Sequence, residues 1–396
     1  MRVLMLTQRL PFAPNRGDRL RASQQILKLQ ATGWTVDLLA LAHDDEEARA
    51  VDGMRRPELR VEIARVPHLR NKVHGLLSLA GDTPLTLSLL DSPDALPAVE
   101  RMLAGGRPDV VLACCSSMAA IALREPLAAI PLVVDFADID SVKWQALSAT
   151  SSWPMSWVYR REHRTLQAFE AMAARRAFTS VVVTEREVRA LRAFAPEVRA
   201  EAISNGVDLR RYRRPSDARS EARVVFTGVM NYEPNADAAV WLGREIWPLV
   251  HRAHPEARLD IVGSSPTTAV QGLHRDALGI TVTGSVPDVC PYLWNARVAV
   301  APLRVARGIQ NKVLEAAGAG IPCVITPAVR EGLPASLQAV CPVAESAEAF
   351  AAAIATQLES PIPARVLTAS VDELDWTATL ARLPILLEEA VAAGPR

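Results

Sequence analysis

Residues 299–326, AVAPLRVARGIQNKVLEAAGAGIPCVIT, crowd cations, a loop glycine and a carboxylate into one short stretch. The pattern predicts a strand over about 298–302, a basic loop with Arg304, Arg307 and Gly308, then a helix over about 311–319 closed by Gly320. Free N–H groups where such a helix opens, at Asn311 and Lys312, attract an anion, and Gly308 lets backbone come close to it. Arg304, Arg307 and Lys312 add charge, so the loop suits a diphosphate. Glu315 lies one turn inside the helix, where its carboxylate can accept from two ribose hydroxyls. A sugar nucleotide offers both groups. The plainer alternative makes Glu315 a first-turn dipole partner and the cations solvated. Among 44 Lys and Arg only Lys28, Lys72, Lys143 and Lys312 are lysines, which draws attention to a lysine in this loop.

Three other loops follow apolar runs. VVFTGVMNYEPNADAAVWL ends a strand at Gly228, where backbone can approach a ligand, and opens a helix expected to be capped by Asn235. PLVVDFADIDSVKWQ sets Asp135, Asp138 and Asp140 after a strand, then Ser141, Lys143 and Trp144. Its D-x-D resembles a divalent-metal motif, but nothing nearby completes a ligand set, so acceptor contacts (Asp140, Lys143, Trp144) or helix capping are favoured over metal. Asp138 joins Lys312 and Arg307 as a candidate catalytic group. TQRLPFAPNRGDRLR ends a first strand before a helix beginning near Gly17, with Gly17 and Arg19 expected to face a cleft. Neither G-x-G-x-x-G nor G-x-x-x-x-G-K-[ST] occurs there, which argues against dehydrogenase and kinase chemistry.

These loops need a scaffold that brings strand ends together. RVLMLTQ, TVDLLALA, VEIARV, DVVLACC, PLVVDFAD and SVVVTE, then ARVVFTG, RLDIVG, ITVTG, VAVAPL, PCVITP and AVCPV, alternate with helical stretches. That alternation predicts two α/β domains with parallel sheets, and 396 residues suit two cores. The turn in Ser204-Asn205-Gly206-Val207-Asp208 separates domains over 1–204 and 205–374. A last helix is expected over about 375–392, with Trp376, Leu380, Leu383 and Leu387 at helical spacing.

The 44 basic and 44 acidic residues cancel, so no global field favours nucleic acid. The five cysteines show no metal-ligand spacing. The opening MRVLMLTQRLPF reads as a strand rather than a signal peptide, and no run is long enough to span a membrane, so the protein is expected in the cytoplasm. Over 154–176 a stripe of Met155, Val158, Tyr159, Leu166, Phe169 and Met172 opposes Arg160, Arg161, Arg164, Arg175 and Arg176. A core-facing helix with a wet basic side is favoured. Trp153 and Trp157 leave peripheral contact with the inner membrane face as the alternative.

The linker SNGVD followed by Tyr212, and the motif ending LEAAGAGIPCVIT, resemble family 4 glycosyltransferases of the two-Rossmann-domain (GT-B) fold over nearly the whole chain. TQRLPFAPNRGDRLR, DFADIDSVKW, FTGVMNYEPNADA and APLRVARGIQNKVLEA look like the sugar transferases associated with exosortase/PEP-CTERM exopolysaccharide systems. The resemblance implies metal-independent transfer with retention, a nucleotide-sugar donor on the C-terminal domain and a glycan or lipid-linked acceptor on the N-terminal one. No cofactor is expected. It also implies that the last helix, 375–396, packs back on the first domain. Three positions depart from the family pattern: Arg307 stands where the first Glu of E-x7-E is common, Gly228–Asp237 lacks the usual Arg and Lys, and Gly17 replaces a Gly-Gly pair. Two rival functions stay open at this point, a sugar-nucleotide epimerase or hydrolase and a non-catalytic sugar-nucleotide-binding module.

Overall fold

The computed structural model describes residues 1–12, 17–50, 59–216, 218, 220–306 and 308–395. The chain forms two compact units, Met1–Ser204 with Leu380–Arg396, and Asn205–Thr379.

The first unit is built on seven strands: β1 (Arg2–Thr7), β2 (Thr35–Ala42), β3 (Leu59–Arg65), β4 (Val110–Cys114), β5 (Leu132–Ala137), β6 (Thr179–Val182) and β7 (Ala200–Ala202). They pair in parallel in the order β3-β2-β1-β4-β5-β6-β7. Their near-continuous apolar runs are what a sheet covered on both faces requires, and Leu4, Leu6, Leu39, Val111 and Val134 are buried. Strand β7 was absent from the sequence-based set because three residues, one of them Glu201, give no readable pattern.

The second unit holds β8 (Arg223–Thr227), β9 (Arg258–Val262), β10 (Ile280–Gly284), β11 (Val298–Ala301) and β12 (Cys323–Ile325), parallel in the order β10-β9-β8-β11-β12. Phe226, Trp247, Val300 and Leu314 lie in its core. The expected strand AVCPV makes only an isolated bridge, Ile325 to Val343. In each sheet the strand order reverses beside the first strand, between β1 and β4 and between β8 and β11. Loops at the carboxyl ends of such neighbours diverge and leave a crevice.

The expected final helix is two pieces. Trp376–Thr379 stays with the second unit, while Arg382–Ala393 packs in the first, burying Leu383, Leu386, Leu387 and Ala390. Pro384 explains the break. It lacks an N–H for the carbonyl four residues back and is tolerated in a helix's first turn, so the helix restarts just ahead of it. Arg382 then fastens the restarted helix, donating to Glu201 at 3.0 Å and to Glu389 at 2.6 Å. Among the described residues no helix is long and apolar enough to cross a membrane.

Candidate functional site

In the second unit, the carboxyl ends of β8 and β11 bring together Gly228, Asn235 and Lys312. Lys312 sits in the first turn of the helix Asn311–Gly318. It is half-buried, with its amine 4.5 Å from the centre of the Phe226 ring and donating to Asn235 Oδ1 at 2.8 Å. The Asn235 amide is fixed in turn by donating to the Val229 carbonyl at 3.1 Å. Asn235 is not the expected cap: its helix runs Glu233–Trp241 after Tyr232, because Pro234 sets the start one turn earlier. Gly228 makes room for this pair, since a Cβ there would stand 2.8 Å from Asn235 Nδ2 and 3.1 Å from Lys312 Nζ.

Burial lowers the Lys312 amine to about pKa 8, with Glu315 one turn on opposing the shift. Burial likewise raises the Glu315 carboxyl, against a hydrogen bond from Tyr212 and the charge of Lys312. Asn311 accepts from the Asn205 side chain at 3.2 Å, tying the start of the helix to the segment that opens the unit. Gly308 adopts φ 57°, a left-handed conformation that glycine reaches without strain. Its carbonyl oxygen lies 2.1 Å from where a Cβ on Gly332 would be, so the close approach made here is to the turn at 332. Arg304 forms a two-pronged pair with Asp237, at 2.7 and 3.1 Å, and lies 5.7 Å from the Trp241 ring centre. Arg307 lies outside the described residues.

In the first unit a pocket opens at the carboxyl ends of β1, β4 and β5, lined by Gln8, Arg9, Arg19, Cys115 and Ala137 among others. Cys115 (φ 80°) and Ala137 (φ 58°) hold strained left-handed backbone at its edge, a conformation that clusters at ligand sites. Beneath it Asp135 is buried and accepts from Arg21 Nε at 2.8 Å and from Gln25. Asp135 is therefore the anchor of the helix Gly17–Ala31, which Gly17 opens on an exposed surface. Asp138 is half-buried after β5. Asp140 begins the helix Asp140–Thr150 behind Ile139, so neither aspartate occupies the expected cap position. The charge of Asp140 acts on Cys115 and on the buried Glu170. On the same helix Lys143 lies 5.6 Å from the Trp144 ring, and Trp144 packs on Tyr159 at 5.3 Å. Among the described residues no group of three or more His, Cys, Asp and Glu is arranged to hold a metal ion.

Glu170 was not anticipated. It is wholly buried, accepts from Ser141 and from Ser116, and is pushed up to about pKa 8 by burial. Arg161, expected on the wet side of the helix Met155–Arg176, is also buried, donating to the carbonyls of Ser78, Leu79, Gly81 and Thr83. Loop carbonyls withdrawn from water need donors, and a guanidinium can serve several at once.

Comparison with known proteins agrees with this architecture. Residues 17–206 match the family model described as glycosyl transferase 4-like domain, and residues 221–360 match glycosyl transferases group 1. No curated protein matches the sequence. Among solved structures, the chain is similar to Anabaena HepE in complex with UDP and glucose (15% identity, covering 98% of this chain and 100% of that one, TM-score 0.68). It is also similar to a UDP-forming α,α-trehalose-phosphate synthase from Burkholderia vietnamiensis (13%, 98% and 100%, 0.65) and to WaaG, a glycosyltransferase of lipopolysaccharide biosynthesis (14%, 99% and 99%, 0.62). Two glycosyltransferase domains that together account for most of the chain, each on its own parallel sheet, make this protein a glycosyltransferase of the GT-B fold.

Proposed function

We propose that the enzyme takes a sugar from a nucleoside-diphosphate donor held by the second unit. It passes that sugar, with retention and without a divalent metal, to a glycan or polyprenyl-linked acceptor held by the first, in exopolysaccharide biosynthesis at the cytoplasmic side of the membrane. The observation that carries the donor assignment is Lys312: a half-buried ammonium at a helix start, on the β8–β11 side of the sheet, held by Asn235 and followed one turn later by Glu315. Cation and helix-end amides suit a diphosphate, and Glu315 suits the ribose. Gly228 leaves room for the Asn235–Lys312 pair, and Gly308 supplies the left-handed turn ahead of the helix. Arg304, and Arg307 by its place in the sequence, add charge around the phosphates.

In the reaction the bond from the sugar's C1 to the diphosphate oxygen breaks, the acceptor oxygen bonds to C1, and its proton passes to the departing diphosphate. Negative charge grows on the β-phosphate, so preorganised positive groups there act most strongly in the transition state. Lys312, Arg307 and the amides near Gly308 fill that role, with Asp138 on the acceptor side. Asp140, Lys143 and Trp144 are assigned to acceptor contacts. The resemblance carried by TQRLPFAPNRGDRLR and DFADIDSVKW supports the exopolysaccharide assignment.

HepE binds UDP and UDP-glucose, so uridine donors are the first to try. Thermal-shift screening with UDP-, GDP- and ADP-sugars finds the donor by mass action. Nucleotide release is then followed with and without oligosaccharide or polyprenyl-phosphate acceptors. Acceptor-dependent release with a new glycoside supports the proposal. Conversion of donor alone favours an epimerase or hydrolase, and binding without turnover favours a non-catalytic module.

A further inference from the structure

The helix His68–Ser78 in the first unit is turned inside out. Its buried positions are polar or small, Asn71 and Gly75, whereas Leu69, Val73, Leu76 and Leu77 are exposed by 82, 56, 70 and 71%. At 100° per residue these four fall on one stripe opposite Asn71 and Gly75. Two contacts fix that orientation. The Asn71 amide donates to the carbonyls of Leu89 and Asp91 at 3.0 and 2.7 Å, and Gly75 lets the neighbouring Leu85 side chain approach to 2.9 Å of where a Cβ would be. The apolar stripe is thereby held toward solvent.

A second exposed group adjoins it. Trp153 (81% exposed) precedes the helix Met155–Arg176, Met155 and Trp157 lie in its first turn, and Arg161 from that helix binds the carbonyls of Ser78 and Leu79. Trp157, Arg160 and Arg164 share one surface hollow with Leu79 and Ala80. Residues 66–81 contain Arg70, Lys72, His68 and His74 and no acidic residue; Asp82, which follows, lines the same hollow and pairs with Arg164 at 3.8 Å, and Asp91 pairs with Arg70 at 3.4 Å. We infer that the stripe on His68–Ser78, together with Trp153 and Trp157, docks the first unit on an anionic lipid bilayer. Leucines enter the acyl boundary, tryptophans sit at headgroup level, and Lys72 and Arg160 meet the lipid phosphates. A second copy of the chain fits less well, because a two-fold contact would set this basic patch against itself.

The stripe belongs to the first unit and the donor residues to the second, and docking is tested without a sugar nucleotide. Full-length protein is sedimented with vesicles of phosphatidylcholine alone or with about one third phosphatidylglycerol. Wild type is expected to bind the anionic vesicles and to be partly released by salt. Leu69→Glu/Leu76→Glu should lower the partition coefficient by roughly tenfold or more at an unchanged melting temperature. Because a variant can misfold, Lys72→Glu/Arg160→Glu is run beside it and should lose binding to the anionic vesicles alone. Brominated lipid should quench wild-type fluorescence more than that of Trp153→Phe/Trp157→Phe. Wild type that stays in the supernatant, equal partitioning of folded variants, or a dimer in light scattering that Leu69→Glu/Leu76→Glu abolishes, each overturns the inference.

Discussion

Lys312 and Asn235 form the junction of the donor loops: the amine of one donates to the side-chain oxygen of the other at 2.8 Å, joining the segment after β8 to the helix after β11. Asn235→Ala should leave Lys312 charged but unguided. We expect kcat/KM to fall by roughly tenfold, less than for loss of the amine itself, since positioning and charge are separable contributions. The double variant with Lys312→Ala should cost little beyond Lys312→Ala alone. Fully additive losses in steady-state kinetics would separate the two residues.

Gly228 leaves no space for a methyl group beside that junction. Gly228→Ala should therefore displace the Lys312 amine and raise the donor KM several-fold, with a drop in stability of roughly 1–3 kcal/mol from overpacking. Donor titrations beside a melting curve test this, and an unchanged KM would mean that the amine has room to move.

The lowered pKa of Lys312 carries a sign that can be checked. A bound diphosphate favours the ammonium, so near pH 8 binding takes up protons and affinity falls as pH rises through that value. Calorimetry of nucleotide binding in two buffers of different ionisation enthalpy should report proton uptake in wild type and none from this source in Lys312→Met. Identical uptake in both would place the titrating group elsewhere.

Glu170 makes the opposite kind of statement, about folding. Its carboxyl is raised from 4.5 to about 8, so between those values the folded chain holds a proton that the unfolded chain has released. Stability therefore falls as pH rises across that window. Glu170→Gln should escape the loss, with its melting temperature gaining on wild type from pH 5 to pH 8. Parallel melting profiles would show that Glu170 ionises normally.

The legible part of this molecule was local and periodic. Eleven of the twelve strands among the described residues coincide with apolar runs, and Lys312 drew notice because lysine is scarce in an arginine-biased chain. What was not legible depends on partners far apart in sequence. Asn235 read as a cap because its neighbours in sequence gave no sign of Lys312, 77 positions on. Arg161 read as solvated because the carbonyls it satisfies lie about 80 residues away. Asp135 read only as one of three aspartates after a strand, whereas Arg21, 114 positions earlier, makes it a buried anchor. Charged residues announce their type in a sequence, but burial and pairing decide what they do.

Glu315, on the same helix as Lys312, is the second arm of the donor assignment. Glu315→Gln should weaken nucleotide binding by roughly 1–3 kcal/mol through loss of charge-assisted bonds to the ribose. An unchanged dissociation constant in calorimetry would free Glu315 of that role and leave it as the partner of Tyr212.

The central claim, that Lys312 stabilises the departing diphosphate, is tested most directly by steady-state rates of Lys312→Ala and Lys312→Arg at saturating acceptor, with a melting curve for each. Lys312→Ala should lose roughly 10²-fold or more in kcat and kcat/KM together while remaining folded. Lys312→Arg should recover part of that loss, because a planar guanidinium does not fit the space beside Phe226 and Asn235 as a compact ammonium does. Wild-type turnover in folded Lys312→Ala would contradict the account.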